Sequence, residues 1–525
     1  MLKIVAMTLA CVLLIPAAGM QAGQFPQRWN YIGGSILTDD STDKLIGLVR
    51  QSKAAGCTHV LWSGCRGFRL PELGAKALQR AGRVKAEAKK LGITIVPKVL
   101  SIGYSGRYFA VDSNLAAGIP VRNMPYLVKG RTAEPDPATA LDAGKLKPES
   151  GRLVGRFKVR PFQLYRLSYL ASFNPGGRED AYQVFSGGGK RWHSRTNPVV
   201  KKQGDRFFVQ TMFNTLKAEQ IRVVIDARKG KVEDVKIVPA GMLLILRRDW
   251  IPLKVTDASG KTVYEEGKDF KPVHDPIVAV RPFPGEFPLD HPAVPIELTD
   301  GSRIKDGQKL LVSFWHHQRV YNDQDLITLE DPQVWKTFEL EIKEACRVWG
   351  TEGYMLNYDE IRVGGWERRP KEWEGLTLGQ MLGRHFKKAY DLLREHAPKA
   401  KVYTWSDMFT PYHNARPFKA KGYYYLCNGN WDGSWEALPK DVIVMNWYSP
   451  DTKNTKFFAG RGHKQVLCGY YDGRTTARMK ANISRWMKVS RGVPGILGVM
   501  YTTWRRDYDH LDEYFKLLET HGKWK

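Results

Sequence analysis

The chain has 525 residues and a formal net charge of +27, from 81 lysines and arginines against 54 aspartates and glutamates. Hydrophobic residues make up 43% and aromatic residues 11% of the sequence, which excludes a disordered or fibrous protein. The length suits one large domain with an insertion or a second domain. Because the basic residues are spread evenly and form no nucleic-acid-binding motif, the charge does not indicate a nucleic-acid partner.

Residues 1–23 are predicted to be a secretory signal peptide. Lys3 precedes an apolar run at 4–15, and small residues follow Pro16. This run is shorter than the roughly 20 residues that cross a bilayer, so we expect a secreted or periplasmic protein with no membrane span. Cys11 lies inside the apolar run rather than after it, which disfavours a lipoprotein anchor. The other cysteines are widely spaced, which favours buried thiols over a disulfide framework.

Short apolar runs alternate with helix-forming segments at the start of the mature chain. This pattern predicts strands at 31–37, 58–63 and 93–100, with helices at 39–55 and 72–91 between them. A segment rich in Gly, Pro and Ala follows at about 104–151. Residues 152–272 then show short alternating runs separated by Gly-rich turns, which is typical of a β-sandwich.

The α/β pattern resumes after residue 306. It predicts helices at 332–349, 377–396, 475–489 and 509–520, and strands at 353–358, 402–406, 442–447, 465–470 and 496–502. With the three early strands these make eight, the number that closes a (β/α)8 barrel. We therefore predict an α/β fold, a TIM-type barrel built from 24–110 and 306–525 and interrupted after its third strand by a β-rich, sandwich-like domain at 111–305. Two apolar runs are left over. We interpret the run at 309–315 as an extension of the loop after the third strand, and the run at 423–427 as a strand within a loop.

Aromatic and acidic residues follow the predicted barrel strands at their carboxyl ends, where barrel active sites lie. Flat rings stack on the apolar faces of a sugar, and carboxylates bind its hydroxyl groups. This arrangement predicts a carbohydrate ligand and calls for neither a metal nor a cofactor. The candidate binding residues are Trp62, Trp405, Asp407, Trp447, Tyr448, Tyr471, Asp472 and Trp504.

The adjacent acids Asp359 and Glu360, which follow the fourth predicted strand, are the candidate catalytic residues. Cleavage of a glycosidic bond needs a proton donor at the leaving oxygen and a second group near the anomeric carbon. Neighbouring side chains on a regular strand point to opposite faces, so both acids reach one site only if the strand ends or bulges there. Gly364 and Gly365 lie just beyond and permit such a turn.

A histidine and a set of arginines are further candidates for the site. His316 and His317 are neighbours on a predicted strand and so cannot easily share a metal, which leaves His316 as a structural residue or as part of the sugar pocket. Arginines near two strand ends suit an anionic substrate, and the basic surface would raise the local concentration of acidic glycans. These arginines are Arg362, Arg368, Arg369, Arg505 and Arg506.

Residues 352–360, 401–407, 442–447 and 495–504 resemble the catalytic half of family 20 of the glycoside hydrolases, the β-N-acetylhexosaminidases. The resemblance covers about 305–525. It implies that Glu360 is the general acid/base and that Asp359 orients the 2-acetamido group of the substrate. In such enzymes the acetamido oxygen attacks the anomeric carbon, so the reaction retains configuration without a protein nucleophile.

The same resemblance implies roles for aromatic residues. Trp405, Trp447 and Trp504 would wall the acetamido and sugar pocket, and Tyr448 or Tyr471 would bind the acetamido oxygen. The sequence also leaves two alternatives open. In the first, Asp407 or Asp472 is the covalent nucleophile of a conventional retaining glycosidase. In the second, the chain binds carbohydrate without catalysis, although binding alone does not require a proton donor.

Overall fold

A computed structural model describes residues 25–64, 74–176, 181–186, 191–192, 198–278, 287–320, 324–416, 426–448 and 450–521. The predicted signal peptide at 1–23 and Cys65 lie outside these ranges. Within them, no helix has both the length and the apolar character needed to cross a membrane. The described cysteines Cys57, Cys346, Cys427 and Cys468 are free thiols.

Eight parallel strands form a closed barrel, and they follow one another around it in chain order. The last strand closes the ring on the first, with Val499 opposite Arg28. The third strand pairs with the fourth through Val99 and Leu356, which lie about 250 positions apart in the chain. The expected ring of eight strands is therefore confirmed. The strands are Gln27–Ile32, His59–Trp62, Thr94–Val99, Gly353–Leu356, Lys401–Trp405, Ile443–Trp447, Gln465–Cys468 and Ile496–Tyr501.

The first strand is Gln27–Ile32, whereas the sequence predicted it at 31–37. The apolar pattern misses this strand because it contains polar residues, which are buried against specific partners. Asn30 is fully buried and donates from its Nδ2 to the Ser52 hydroxyl at 2.9 Å. Trp29 is also fully buried and packs inside the barrel.

Helices cover most of the connections between barrel strands. The first, Asp39–Ala54, begins where the sequence predicts it, because Thr38 and Ser41 form a capping box. Between the fifth and sixth strands the helices of the described residues are both of the 3-10 type, at Asp407–Phe409 and Ser434–Ala437. The α-helices are Asp39–Ala54, Gly74–Leu91, Gly106–Phe109, Val334–Trp349, Leu378–His396, Thr452–Gly460, Thr476–Ser490 and Leu511–Thr520.

Three antiparallel sheets lie between the third and fourth barrel strands in sequence. A six-stranded sheet contains, in spatial order, Val263–Tyr264, Lys254–Asp257, Lys309–His317, Gly118–Lys129, Thr132–Pro135 and Ile296–Glu297. A five-stranded sheet contains Arg191–Trp192, Tyr182–Ser186, Gln220–Asp226, Arg152–Lys158 and Lys147–Glu149. A four-stranded sheet contains Val199–Gln203, Arg206–Asn214, Leu164–Ala171 and Val232–Pro239.

Side chains of the four-stranded and five-stranded sheets meet, since the Thr211 hydroxyl donates to the Tyr182 hydroxyl at 2.9 Å. The leftover run at 309–315 is part of the long strand Lys309–His317, which pairs with Gly118–Lys129. Of the other leftover run, Leu426–Cys427 pairs with Val363–Gly364, and 423–425 lie outside the described residues.

The barrel interior is filled with large side chains, so it is a packed core below the strand ends. Its upper layer includes Tyr31 and Trp405, whose ring centroids lie 6.3 Å apart. The inserted sheets join the barrel through buried ion pairs, in which Arg248 lies 2.7 Å from Asp331 and 2.6 Å from Glu367. These contacts fix the insertion beside the segment that follows the fourth barrel strand.

Candidate active site

A cavity of about 1220 Å³ lies at the carboxyl ends of the barrel strands. Its wall includes both predicted catalytic acids and two of the predicted tryptophans. The described lining residues that concern the chemistry are Tyr31, Gly33, Lys44, Lys98, Tyr104, Arg107, Asn357, Asp359, Glu360, Trp447, Tyr448, Tyr470, Trp504 and Arg506. With Ser63, which follows the second strand, residues from seven of the eight strand ends converge on this cavity.

The backbone at Glu360 departs from the strand, as the two neighbouring acids require. The strand ends at Leu356, and Glu360 has a φ of 48°, in the left-handed region that side chains rarely adopt. Its N–H donates to Asp407 Oδ2 at 2.8 Å, and its carbonyl accepts from Gln324 Nε2 at 2.9 Å. These bonds hold a strained conformation in place and bring both acids to the cavity.

Two donors hold the Glu360 carboxylate. The Tyr104 hydroxyl donates to Oε2, and Arg362 Nη2 lies 2.9 Å from Oε1. The Arg362 side chain is buried, with 1% exposure, whereas the Glu360 side chain is 17% exposed and faces the cavity. Desolvation within the cavity, and then the charges of Glu360 and Asp359, raise the pKa of Tyr104 far above its ordinary value, so its hydroxyl remains a donor.

Asp359 lacks, at one carboxylate oxygen, the kind of donor that holds its neighbour: its Oδ1 is buried and has no hydrogen-bond partner among the described residues. Burial raises the pKa of Asp359 to about 8; Lys98 opposes this shift, and the charges of Asp407 and Glu360 add to it. Lys98 is buried, and its Nζ lies 3.3 Å from the Tyr31 hydroxyl. The cavity floor thus contains a lysine that can balance the charge of Asp359 when this acid is ionised.

Three indole rings form a box beside the acids. The ring centroids of Trp405, Trp447 and Trp504 lie 6.1, 5.9 and 5.7 Å apart, and each pair meets edge to face. Trp405 is buried and donates from Nε1 to Asn357 Oδ1 at 2.7 Å. Trp504 is 43% exposed and faces the cavity. The box therefore has a fixed apolar floor and accessible walls.

Asp407 lies behind this box and does not line the cavity. Its carboxylate accepts from the Glu360 N–H at 2.8 Å, Asn414 Nδ2 at 2.8 Å and Trp447 Nε1 at 3.1 Å. Burial raises the pKa of Asp407, and nearby His413 opposes the shift. One buried carboxylate thereby connects a catalytic acid to a wall of the indole box.

Asp472 has a similar place at the other side of the cavity. It accepts from the Thr503 hydroxyl, from the Trp504 N–H at 2.7 Å and from the Arg505 N–H at 3.1 Å. It is buried and does not line the cavity. Its contacts fix the loop that follows the eighth strand.

Two predicted sugar-binding aromatics lie away from the cavity. Trp62 is buried outside the barrel and packs edge to face on Trp349, with ring centroids 4.7 Å apart. Tyr471 is buried and stacks on Tyr501 at 5.1 Å, whereas its neighbour Tyr470 lines the cavity. The geometry therefore corrects both expectations, because each side chain points into the layer between strands and helices.

His316 also lies away from the cavity, within the six-stranded sheet. It is fully buried, and its Nε2 lies 3.1 Å from Asn214 Nδ2. Burial lowers the pKa of His316 to about 3, so the ring is neutral. The expectation that it lines the sugar pocket is wrong, because its strand belongs to the inserted sheets rather than to the barrel. His316 is a structural residue, as the other interpretation of the sequence held.

Several residues that line the cavity were not predicted from the sequence. Lys98 carries a detectable signal, as a lysine within the apolar run of the third strand. The sequence predicted Tyr471 instead of its neighbour Tyr470. The strand ends at Cys468, so the alternation of side chains between its two faces does not extend to these tyrosines. Tyr104 follows the third strand in an irregular segment and has no pattern that marks it. Its role becomes visible only through Glu360, which is 256 positions away.

No protein-family profile and no curated protein sequence matches this chain. Among solved structures it is similar to a β-N-acetylhexosaminidase from Bacteroides fragilis, with 9% identity, a TM-score of 0.40 and coverage of 94% of this chain and 65% of that one. It is also similar to a rhamnosidase from Novosphingobium sp. PP1Y, with 10% identity, a TM-score of 0.34 and coverage of 95% and 60%. The chain thus spans less than two thirds of the length of either.

A third similar structure contains family 20 catalytic modules of a pneumococcal exo-β-D-N-acetylglucosaminidase. The identity is 10%, the TM-score is 0.36, and the alignment covers 95% of this chain and 84% of that one. These structures include members of the family that residues 352–360 and the later segments resemble.

Proposed function

We propose that the chain is a glycoside hydrolase that acts on a poly- or oligosaccharide through Asp359 and Glu360. The observation that supports this most directly is that both acids share one cavity with Trp447 and Trp504. In this proposal the ring of strands is a barrel of the TIM type, and the antiparallel sheets form a sandwich-like domain inserted into it. The cavity then occupies the face on which such barrels place their active sites.

Glu360 is the general acid/base of the proposed reaction. It protonates the leaving oxygen and then removes a proton from the attacking water. The carboxylate that forms when the proton departs is stabilised by the Tyr104 hydroxyl and by Arg362. The 2-acetamido oxygen of the substrate attacks the anomeric carbon, so configuration is retained without a nucleophilic side chain.

Asp359 orients the acetamido group in this scheme. Its buried Oδ1 lacks a partner within the described structure and offers an acceptor for the acetamido N–H. The indole box of Trp405, Trp447 and Trp504 suits the acetamido methyl group, because the rings present apolar surface on three sides. Tyr448, or Tyr470 in place of Tyr471, supplies the hydroxyl for the acetamido oxygen.

Replacement of Glu360 by glutamine tests the proposal. The wild-type protein should hydrolyse aryl N-acetyl-β-hexosaminides, and Glu360→Gln should lower kcat by roughly 10²- to 10⁴-fold, the usual contribution of general acid–base catalysis. Binding of the product sugar, measured by calorimetry, should survive. Glu352→Gln is the matched control, because this exposed glutamate precedes the same strand at its other end. Unaltered turnover in Glu360→Gln would remove this residue from the mechanism.

The alternative retaining glycosidase needs an aspartate nucleophile at the cavity. Both Asp407 and Asp472 have their oxygens engaged by N–H or O–H donors, and neither lines the cavity. A fluorinated glycoside followed by peptide mass spectrometry separates the two schemes, since a labelled aspartate contradicts substrate assistance. A noncatalytic carbohydrate-binding protein would bind glycans and turn over none of the aryl glycosides.

We further propose export through a signal peptide at 1–23, to the periplasm or outside the cell, and an acidic glycan as the natural substrate. A net charge of +27 attracts polyanions and raises their concentration near the surface. Added salt should therefore reduce the rate on charged oligosaccharides more steeply than the rate on neutral ones. Equal responses to salt would contradict the acidic substrate.

A further inference from the structure

The loop after the eighth barrel strand places a guanidinium group in the cavity wall. Arg506 is exposed and lines the cavity together with Trp504. Its φ is 62°, in the left-handed region that is uncommon for a residue with a side chain. Within the described parts of the chain it forms no ion pair, and the adjacent Asp507 carboxylate accepts instead from the Gly473 N–H at 2.9 Å.

The Arg506 side chain lies flat on the loop that follows the first barrel strand. A Cβ at Gly33 would be 2.9 Å from its Nε and 3.5 Å from its Cδ. The Gly33 N–H donates to the Tyr508 hydroxyl at 3.0 Å, which joins the same two loops from the other direction. The missing side chain at position 33 therefore makes room for the guanidinium group.

Asp472 keeps this arrangement rigid. It accepts from the backbone N–H groups of Trp504 and Arg505, and the Thr503 hydroxyl that it also binds accepts from the Asp507 N–H at 2.8 Å. The residues on both sides of Arg506 are thus fixed by hydrogen bonds. A strained residue that its neighbours hold so firmly is typical of a functional site.

The cations around the cavity differ in whether an acid already balances them. The lining contains Lys44, Lys98, Arg107 and Arg506. Lys44 pairs with Asp40 at 2.8 Å, and Arg107 pairs with the buried Glu341. Lys98 is buried, its Nζ lies 3.3 Å from the Tyr31 hydroxyl, and its charge opposes the raised pKa of Asp359. Arg506 has no comparable partner among the described residues, and its planar fork matches the oxygens of a carboxylate or a sulfate.

We infer that Arg506 forms a subsite for an oxyanion substituent, a carboxylate or a sulfate ester, on the sugar that stacks against Trp504. This inference rests on the proposed function and adds the substrate class, namely glycans whose sugar at this position is acidic. It differs from general attraction by a basic surface, because one side chain at a defined place selects the substrate.

The test uses three oligosaccharides with one backbone: a neutral one, one with a sulfate ester and one with a uronic acid. We expect kcat/KM of the wild-type protein to favour one of the anionic substrates by roughly 10- to 100-fold, as a charge-assisted hydrogen-bond pair provides. Arg506→Gln should abolish this preference. Arg505→Gln is the matched control, because it removes the same charge from a neighbour that does not line the cavity. The favoured anion identifies the substituent.

Gly33→Ala provides a second variant should Arg506→Gln fold poorly, because its Cβ would displace the guanidinium group and reduce the preference without removing the charge. Equal wild-type rates on the neutral and anionic substrates would overturn the inference, as would a preference that survives in Arg506→Gln or falls equally in Arg505→Gln. If no substrate is hydrolysed, the proposed hydrolase function fails instead. In that case, calorimetry of the same three oligosaccharides with the wild type and with Arg506→Gln shows whether Arg506 binds the anionic substituent.

Discussion

Replacing Asp407 tests whether one buried carboxylate holds the proposed active site together. It accepts from Glu360 N, Asn414 Nδ2 and Trp447 Nε1. Asp407→Ala leaves all three donors without their acceptor. Asp407→Asn keeps one oxygen, which can serve the two donors at the Oδ2 position, and turns an NH2 group toward the Trp447 indole N–H.

The expected loss of stability follows from the number of donors that lose their acceptor. A hydrogen bond to a charged group contributes about 1.5–3 kcal/mol, and a buried donor without a partner costs about 1–3 kcal/mol. Because contributions of neighbouring groups are not additive, we expect Asp407→Ala to lower the free energy of unfolding by about 4–6 kcal/mol and Asp407→Asn by about 1–3 kcal/mol. Displacement of Trp447 should also reduce kcat/KM of Asp407→Asn by roughly 10- to 100-fold.

Urea-denaturation midpoints and kcat/KM on an aryl glycoside measure both effects. Asp391→Asn is a suitable control, since this aspartate lies exposed on a helix and pairs only with Lys387 in the described structure. Equal midpoints for the wild type and Asp407→Ala would refute the assigned hydrogen bonds. A complete loss of activity in Asp407→Asn at unaltered stability would favour the nucleophile alternative.

Three further outcomes are expected. Tyr104→Phe keeps the ring but removes the donor to Glu360, so kcat should fall by roughly 3- to 10-fold with little change in KM, and unaltered kcat would contradict this contact. Burial raises the pKa of Asp359 to about 8 from its ordinary 3.8, so the folded chain binds this proton more tightly than the unfolded chain and loses stability as pH rises between these values. The urea midpoint of the wild type relative to Asp359→Asn should therefore decrease from pH 5 to pH 8, whereas a constant difference would show that the carboxyl is not buried. Trp504→Ala removes a stacking surface and should raise KM for an oligosaccharide by roughly 5- to 10-fold in steady-state assays, an expectation that an unchanged KM would refute.

The barrel was predictable because its strands are apolar runs between amphipathic helices. Strands such as Gly353–Leu356 are buried on both faces and read as continuous hydrophobic segments. Gln27–Ile32 was misplaced because its burial depends on partners from elsewhere, as for Asn30 and Ser52. Sequence periodicity detects apolar burial and does not detect polar groups that are paired in the core.

Side-chain direction limited the prediction of the site. Trp62 and Leu61 are neighbours on one strand, but only Leu61 points into the barrel interior. The alternation of a strand divides residues between two faces without saying which face is inside, and a closed barrel buries both. That Asp359 and Glu360 reach the cavity was predictable from their position after a barrel strand. The donors to Glu360, by contrast, include Tyr104, which only the folded chain brings near.

The long insertion between the third and fourth barrel strands has a consequence for the folding of the chain during its synthesis. When Val99 is added to the growing chain, its partner Leu356 is still about 250 residues from being synthesised. Until then both edges of the nascent three-stranded sheet offer unsatisfied amide and carbonyl groups to any other strand, because the first strand also waits for the last one. The N-terminal segment should therefore depend on chaperones during its synthesis, and truncations that end before Gly353 should aggregate rather than form a stable half-barrel.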